Sequence, residues 1–197
     1  MNKFVDEMNT NLMHNTYFDV PSFNLEFTED EHSNSFSLVH FNSRSLSHNF
    51  DNINMYLSSI SHTFKIIGLT ETWLNSSSPT NMYSMNGYKF FCNNRKNKRG
   101  GGTGLYIHNS LHCSLRKNLT VLNESFESIF VEMSNNTKCK KTIIGVVYYR
   151  PPGQNIDIFL SDFAILLNKI NIKSCNCIIM GDLNIDLTRS SINSKVN

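Results

Sequence analysis

Four short apolar runs, each followed by polar residues, constrain this chain more than any other feature of its sequence. The polar residues that end these runs are Asn42, Glu71, Tyr149 and the pair Asp182 and Asn184. Apolar runs of this length are typical of buried strands. Because strand ends in α/β folds hold side chains rigidly around a common cleft, we expect these polar groups to converge.

The residues around the first two runs predict a strand, a helix and a second strand. Residues 35–42 form the first predicted strand and residues 65–70 form the second. Between them, apolar residues from Phe50 to Ile60 recur at three- and four-residue steps after Asn49, which is a capping candidate. This order is typical of the opening of an α/β fold.

The rest of the chain predicts more strands and one further helix. Four strand-like segments are separated by turns rich in Gly or Asn: Tyr88–Cys92, Thr103–His108, Ser125–Met133 and Lys141–Tyr149. We expect them to form an antiparallel meander. Helical spacing returns from Ile156 to Ile170, and Cys177–Met180 predicts a last buried strand before Asp182.

The composition indicates one globular domain preceded by a leader. The chain has 197 residues, of which 40% are hydrophobic and 17% are charged, and such proportions are typical of folded protein. Residues 1–34 are polar and rich in Asn, with no clear periodicity. We therefore expect a poorly ordered leader over residues 1–34 and a domain over residues 35–197.

Charge and cysteine content narrow the cellular setting. The formal net charge of +2 is too small to attract nucleic acid in bulk, so any nucleic-acid surface must be local. The five cysteines lack zinc-binding spacing, which predicts reduced thiols. No signal peptide or membrane-spanning run is apparent. We expect an intracellular protein that is not secreted and does not bind membranes.

The residue types at the strand ends suit phosphate chemistry with a hard metal ion. Mg²⁺ keeps most of its waters and needs only one or two carboxylates from the protein. Amides and a phenol can hold phosphate oxygens without adding negative charge, and a second carboxylate can orient an attacking water.

Five motifs in this order resemble those of the endonuclease/exonuclease/phosphatase superfamily, from about residue 35 to about residue 188. The motifs are Asn42-Ser43-Arg44-Ser45-Leu46, Gly68-Leu69-Thr70-Glu71-Thr72-Trp73-Leu74, Gly100-Gly101-Gly102-Thr103-Gly104-Leu105-Tyr106, Gly145-Val146-Val147-Tyr148-Tyr149-Arg150-Pro151-Pro152 and Gly181-Asp182-Leu183-Asn184. The second and fourth motifs are most similar to the apurinic-like endonuclease domains of non-LTR (LINE-type) retrotransposons. The resemblance implies a four-layer α/β sandwich like that of DNase I, with two packed mixed β-sheets flanked by helices.

The same resemblance implies roles for individual residues. Glu71 would bind Mg²⁺ or Mn²⁺, and Asn42 would lie beside the metal and the scissile phosphate. Tyr149, or Tyr148 if the register differs by one, would contact the phosphate. Asp182 would align the attacking water, and Asn184 would hold that water or the phosphate. The implied reaction is hydrolysis of a phosphodiester, nicking DNA to leave a 3′-hydroxyl that primes reverse transcription.

The resemblance also implies partners and leaves rival functions open. DNA would be the substrate, the protein would act in the nucleus, and a reverse-transcriptase domain would lie downstream. The candidate phosphate contacts are Arg44, Arg95, Lys96, Lys98 and Arg99. A solvated hairpin tip is the alternative that we favour for the last four. The rival functions are another phosphoesterase of the superfamily, such as a repair endonuclease or phosphoinositide phosphatase, and a catalytically dead DNA-binding remnant.

One departure from the family pattern bears on activity. Members of the family end in an Asp-His pair on a later strand, and the residues after Asn184 contain neither of the two at the matching place. Losing a positioned charged donor costs about 3–4 kcal/mol of transition-state stabilisation. We therefore expect the domain to be incomplete at its C-terminus and weak in catalysis, as in a truncated gene model or a degenerate element copy.

Overall fold

The computed structural model describes residues 16–27, 36–96, 100–134, 141–149, 155–170 and 175–185. Its helices are α1 (Val20–Glu26), α2 (Leu46–Ser58) and α3 (Ile156–Ile170). Its strands are β1 (Leu38–Asn42), β2 (Ile66–Thr70), β3 (Tyr88–Asn93), β4 (Thr103–His108), β5 (Cys113–Leu115), β6 (Val121–Leu122), β7 (Phe126–Met133), β8 (Lys141–Tyr149) and β9 (Cys175–Asp182). Short 3-10 helices cover Thr80–Tyr83 and Lys117–Leu119.

The strands form two mixed sheets. The first sheet has the order β1-β2-β4-β3, in which β1 and β2 are parallel and the other pairs are antiparallel. The second has the order β5-β7-β8-β9, with β6 also paired to β7, and only β8 and β9 are parallel. This arrangement confirms the two packed mixed sheets expected from the sequence.

The predicted antiparallel meander is wrong, because its four strands are divided between the two sheets. Strands β3 and β4 pair with each other in the first sheet, whereas β7 and β8 pair in the second. A period of two identifies a strand but not its partner. Here β4 bonds to β2, which precedes it by more than thirty residues.

The layers follow from where the apolar side chains lie. One core cluster lies between the sheets and includes Ile66 and Leu105 of the first sheet with Val131 and Val146 of the second. A second cluster packs α2 against the outer face of the first sheet. On the outer face of the second sheet, the ring of Phe159 in α3 contacts the ring of Phe126 edge-on, with 5.9 Å between the ring centroids. The fold is therefore the expected four-layer α/β sandwich.

Helix α2 begins earlier than the sequence predicts. It starts at Leu46, which is fully buried, and Asn49 lies inside its first turn rather than at the cap. The Asn49 side chain instead donates hydrogen bonds back to the carbonyl oxygens of Ser43 at 2.9 Å and Arg44 at 3.3 Å. The backbone N–H groups of Ser45 and Leu46 donate hydrogen bonds to the carbonyl oxygens of Glu71 and Thr72, which follow β2. This tertiary contact sets the start of the helix.

Helix α1 belongs to a small unit with residues 58–63. Asp19 caps it through the backbone N–H of Ser22 at 2.9 Å, and Asn24 bonds to the backbone of Ser59 and Ser61. The sequence does not predict this helix, and residues 1–15 and 28–34 of the predicted leader lie outside the described residues. Among the described residues, no helix has the length and apolar character needed to cross a bilayer.

Candidate functional site

The candidate site lies at one end of the gap between the two sheets. In the first sheet, Asn42 at the end of β1 pairs in register with Thr70 at the end of β2. In the second, Tyr148 of β8 lies between Asp182 of β9 and Glu127 of β7. Alternation along each strand places these side chains on the same face as the buried inter-sheet residues Val131 and Val146.

The amide of Asn42 joins the two predicted carboxylates. Its Nδ2 donates to Glu71 Oε1 at 3.1 Å and to Asp182 Oδ2 at 2.8 Å. Because both distances start from one nitrogen, the two carboxylate oxygens are no farther apart than their sum. The Asn42 Oδ1 accepts from the backbone N–H of Arg44 at 3.2 Å, which fixes the orientation of the amide. The structure therefore brings Asn42, Glu71 and Asp182 together.

Glu71 lies in a short segment of unusual backbone conformation. Its φ is 52° and that of Trp73 is 56°, a left-handed region that non-glycine residues seldom adopt. The carbonyl of Glu71 accepts from the Ser45 backbone N–H at 2.9 Å and from Ser43 Oγ at 3.1 Å. Such strained conformations persist when the surrounding structure over-determines them and cluster at functional sites.

Among the described side chains, Tyr148 is the tyrosine whose phenol lies close enough to the carboxylates to be affected by their charges. Burial raises the pKa of its phenol, and the negative charges of Glu71, Glu127 and Asp182 raise that pKa further, while Arg95 lowers it. The phenol is therefore protonated at neutral pH and can donate a hydrogen bond. Tyr149 is the last residue of β8, and its side chain lies outside the described residues.

Gly181 is required for the chain to reach Asp182 in this conformation. Its φ is 153°, and a Cβ on it would lie 1.8 Å from the backbone oxygen of Val147. Beyond it, the backbone N–H of Asn184 donates to Asp182 Oδ1 at 3.2 Å, and Asn184 is itself exposed with φ at 49°. Asn184 thus contacts Asp182 through its backbone N–H.

His40 and Glu127 are two nearby groups to which the sequence analysis assigns no role in the site. His40 Nε2 lies 3.2 Å from Thr70 Oγ1, and burial lowers its pKa although the Asp182 carboxylate opposes that shift. Glu127 is fully buried and ion-paired with Arg95. The apolar strand pattern around Glu127 gave no signal for such a charge, since its partner lies 32 residues away.

The predicted phosphate contacts fall into three groups. Arg44 is exposed and lines a groove of about 370 Å³ beside Asn42, together with Phe41 and Tyr56. Arg95 is only 8% exposed, so it does not belong with the solvated cations of the predicted hairpin tip. Lys96 is exposed, whereas Lys98 and Arg99 lie outside the described residues.

The donor set suits a hard divalent cation with few protein ligands. Glu71 and Asp182 offer carboxylate oxygens at the mouth of the inter-sheet gap, linked by the Asn42 amide. Within the described ranges, no three His, Cys, Asp or Glu residues are grouped closely enough to enclose an ion. Mg²⁺ needs no such cage, because it retains waters and is completed by substrate phosphate.

Comparison with known proteins gives one family match. The model of the Endonuclease/Exonuclease/phosphatase family matches residues 22–195. No curated protein sequence matches this chain. The family match begins before residue 35, where the sequence analysis placed the start of the domain.

Solved structures similar to this chain share its fold at low sequence identity. The AP endonuclease LMAP from Leishmania major has a TM-score of 0.60 at 18% identity, with 86% of this chain and 60% of that chain covered. The endonuclease domain of TRAS1, a telomere-specific non-LTR retrotransposon, has a TM-score of 0.56 at 15% identity, with 78% and 61% covered. The mannosyl-6-phosphatase Bt3783 of Bacteroides thetaiotaomicron has a TM-score of 0.56 at 14% identity, with 82% of this chain and 70% of that chain covered.

Proposed function

Because this chain belongs to the endonuclease/exonuclease/phosphatase family, we propose that it is a Mg²⁺-dependent phosphodiesterase that nicks DNA. The observation that carries the proposal is the double hydrogen bond from Asn42 to Glu71 and Asp182. It joins residues from β1, from the loop after β2 and from β9 at one point between the sheets. The chain spans 60%, 61% and 70% of the three solved structures compared, so the activity of the whole protein is part of the proposal.

Glu71, with Asp182 close by, would hold Mg²⁺ or Mn²⁺. When bound, such an ion neutralises developing charge on the phosphate and polarises its oxygens. Asn42 keeps the two carboxylates in place and lies where a scissile phosphate would sit. Tyr148 donates its phenolic proton in a hydrogen bond to a phosphate oxygen. Asp182, whose Oδ1 is held by the Asn184 N–H, orients the attacking water.

DNA is the substrate that the surroundings of the site favour. Exposed Arg44 lines the groove beside Asn42 and exposed Lys96 lies in the loop after β3, and cations of this kind contact phosphates on either side of a cut. The motifs Glu71-Thr72-Trp73-Leu74 and Tyr149-Arg150-Pro151-Pro152 favour the retrotransposon branch of the family. The role we propose is therefore target-site nicking in the nucleus, which supplies a 3′-hydroxyl to a reverse transcriptase.

Nicking of supercoiled plasmid tests this proposal. Purified protein with Mg²⁺ should convert the plasmid slowly to the open-circular form, and EDTA should stop the reaction. Glu71→Ala should slow nicking about 10²-fold or more, because it removes the proposed ligand of the metal ion. Glu124→Ala, at an exposed position in the turn before β7, is the matched control and should nick at the wild-type rate.

The ends of the product test the proposed role in priming. A DNA polymerase should extend the nicked strand without further treatment, because the proposed cut leaves a 3′-hydroxyl. Nicking that persists in EDTA or in Glu71→Ala contradicts the assignment. Release of phosphate from sugar phosphates with plasmid left intact would instead favour a phosphatase of the same family.

A further inference from the structure

A buried pair formed by Arg95 and Glu127 lies beside the proposed site, with Glu127 in register opposite Tyr148. Glu127 is fully buried and Arg95 is 8% exposed. Both the Nε and a terminal nitrogen of the Arg95 guanidinium contact Glu127 Oε1. Burying two charges is costly, and replacing a buried ion pair with well-packed apolar residues often leaves the stability of a protein unchanged or raises it. The pair therefore calls for an explanation beyond stability.

The second oxygen of Glu127 holds the turn Gly100–Gly102, which we call the glycine turn. The backbone N–H of Gly102 donates to Glu127 Oε2. The guanidinium of Arg95 lies against Gly101, where an added Cβ would meet its atoms at 2.0–2.4 Å. All three glycines have φ between 67° and 87°, so the turn follows a path that favours glycine. The ion pair thus fixes both the position and the path of the glycine turn.

The glycine turn in turn holds the segment that carries Glu71. The backbone N–H of Trp73 donates to the Gly101 carbonyl at 2.8 Å, and that of Thr72 donates to the Gly102 carbonyl at 3.3 Å. The start of α2 holds the opposite side of the same segment, because the backbone N–H of Leu46 donates to the Thr72 carbonyl at 2.9 Å. The left-handed conformation of Glu71 is therefore held from two sides, one of which depends on Glu127.

We propose that the buried Arg95–Glu127 pair is a positioning device for Glu71, which it holds in its metal-binding orientation through the glycine turn. This inference rests on the proposed function. In this role, neither residue needs to contact metal or substrate. Both act by keeping the two carbonyls of the glycine turn where the N–H groups of Thr72 and Trp73 need them. An outer-shell partner of a metal ligand typically contributes 10–100-fold to metal affinity.

Binding of Mn²⁺ alone, followed by the electron paramagnetic resonance signal of the free ion, tests the inference without catalysis. The double variant Arg95→Met with Glu127→Leu removes both charges together with the acceptor for Gly102. It should fold, because the buried pair is replaced by apolar groups of similar volume, and it should bind Mn²⁺ at least about tenfold more weakly. In nicking assays kcat should fall while KM for DNA stays unchanged.

Two further variants separate positioning from stability. Arg95→Met with Glu127→Gln also removes both charges but retains an oxygen for the Gly102 N–H, so it should recover part of the Mn²⁺ affinity that the Arg95→Met, Glu127→Leu variant loses. Arg116→Met with Glu132→Leu removes an ion pair at the opposite end of β7, away from the glycine turn. It should lower the melting temperature and leave Mn²⁺ affinity unchanged.

The outcomes distinguish this inference from the proposed function. If Glu71→Ala binds Mn²⁺ as well as wild type does, the metal assignment itself fails. If Glu71→Ala abolishes binding while the Arg95→Met, Glu127→Leu variant keeps wild-type affinity, the positioning inference is overturned and the proposed function stands. Should that variant not fold, wild-type Mn²⁺ affinity in the Arg95→Met, Glu127→Gln variant would overturn the inference as well.

Discussion

The two adjacent tyrosines at the end of β8 illustrate what a single residue of register decides. Side chains along a strand alternate between faces, so Tyr148 shares the inter-sheet face of Val146. The charges of Glu71 and Asp182 both act on the Tyr148 phenol. The resemblance to the family favours Tyr149, which directly precedes Arg150-Pro151-Pro152 in the motif. The role of Tyr149 stays a prediction, and we infer that Tyr148 is the phosphate contact.

Replacing each tyrosine in turn tests this inference. Tyr148→Phe should lower kcat for plasmid nicking about 10²-fold, because it removes a positioned hydrogen-bond donor and leaves the ring in place. Thermal unfolding should change little, and Tyr149→Phe is the matched control. A large loss of activity in Tyr149→Phe with none in Tyr148→Phe would restore the register favoured by the sequence.

At the scale of elements, β7 carries charge at both of its ends. Glu127 lies at the site end, whereas Glu132 lies at the opposite end and joins neighbouring parts of the second sheet. Its carboxylate is 2.5 Å from the Arg116 guanidinium and 2.6 Å from Lys141 Nζ. The Lys141 hydrogen bond is the largest cause that lowers the Glu132 pKa. Burial, the next largest, opposes it, and the Arg116 hydrogen bond and the charges of both cations lower the pKa further.

The lowered pKa of Glu132 predicts how stability depends on pH. The unfolded chain binds the proton more readily, so the contribution is complete above the ordinary pKa of 4.5 and is lost as pH falls below it. Glu132→Gln should lower the free energy of unfolding at pH 7 by about 1 kcal/mol. The difference from wild type should shrink as pH falls below 4.5. Urea titrations at several pH values measure it, and a gap that stays constant into acid contradicts the explanation.

At the scale of the whole molecule, the site depends on how closely the two sheets approach. Gly68 of β2 faces the second sheet, where an added Cβ would lie 2.3 Å from Met180 Sδ and 2.9 Å from Val146 Cγ2. Glu71 directly follows the strand that contains Gly68, and Asp182 is the last residue of the strand that contains Met180. Any separation of β2 from β9 therefore separates the two carboxylates.

Gly68→Ala tests this dependence on sheet spacing. Overpacking should cost about 1–3 kcal/mol of stability, and Mn²⁺ affinity should fall because Glu71 moves away from Asp182. Gly145→Ala is the matched control, since its Cβ would meet the Phe130 ring at 2.1 Å on the outer face of the second sheet. It should destabilise the fold to a similar extent with Mn²⁺ affinity unchanged. Equal losses of affinity in both variants would contradict the spacing argument.

The sequence by itself determined which segments are strands and where polar residues follow them. Strands β4 and β8 and helix α3 have their predicted bounds, because periodicity of apolar residues is a property of neighbouring residues. The same local pattern led to Asn42, Glu71 and Asp182 as candidates, and the resemblance of the ordered motifs to the family implied the layered fold.

Tertiary structure alone decided the pairing of strands and the partners of buried charges. The sequences of β3, β4, β7 and β8 do not indicate which sheet each strand joins, because the periodicity of a strand does not identify the strand to which it hydrogen-bonds. The local sequence predicts that Arg95 is an exposed cation, whereas in the fold it is buried against Glu127, 32 residues away. The start of α2 likewise depends on the carbonyls of Glu71 and Thr72. These contacts arise only when two sheets pack at one spacing and one register, so distant residues meet where local patterns carry no information.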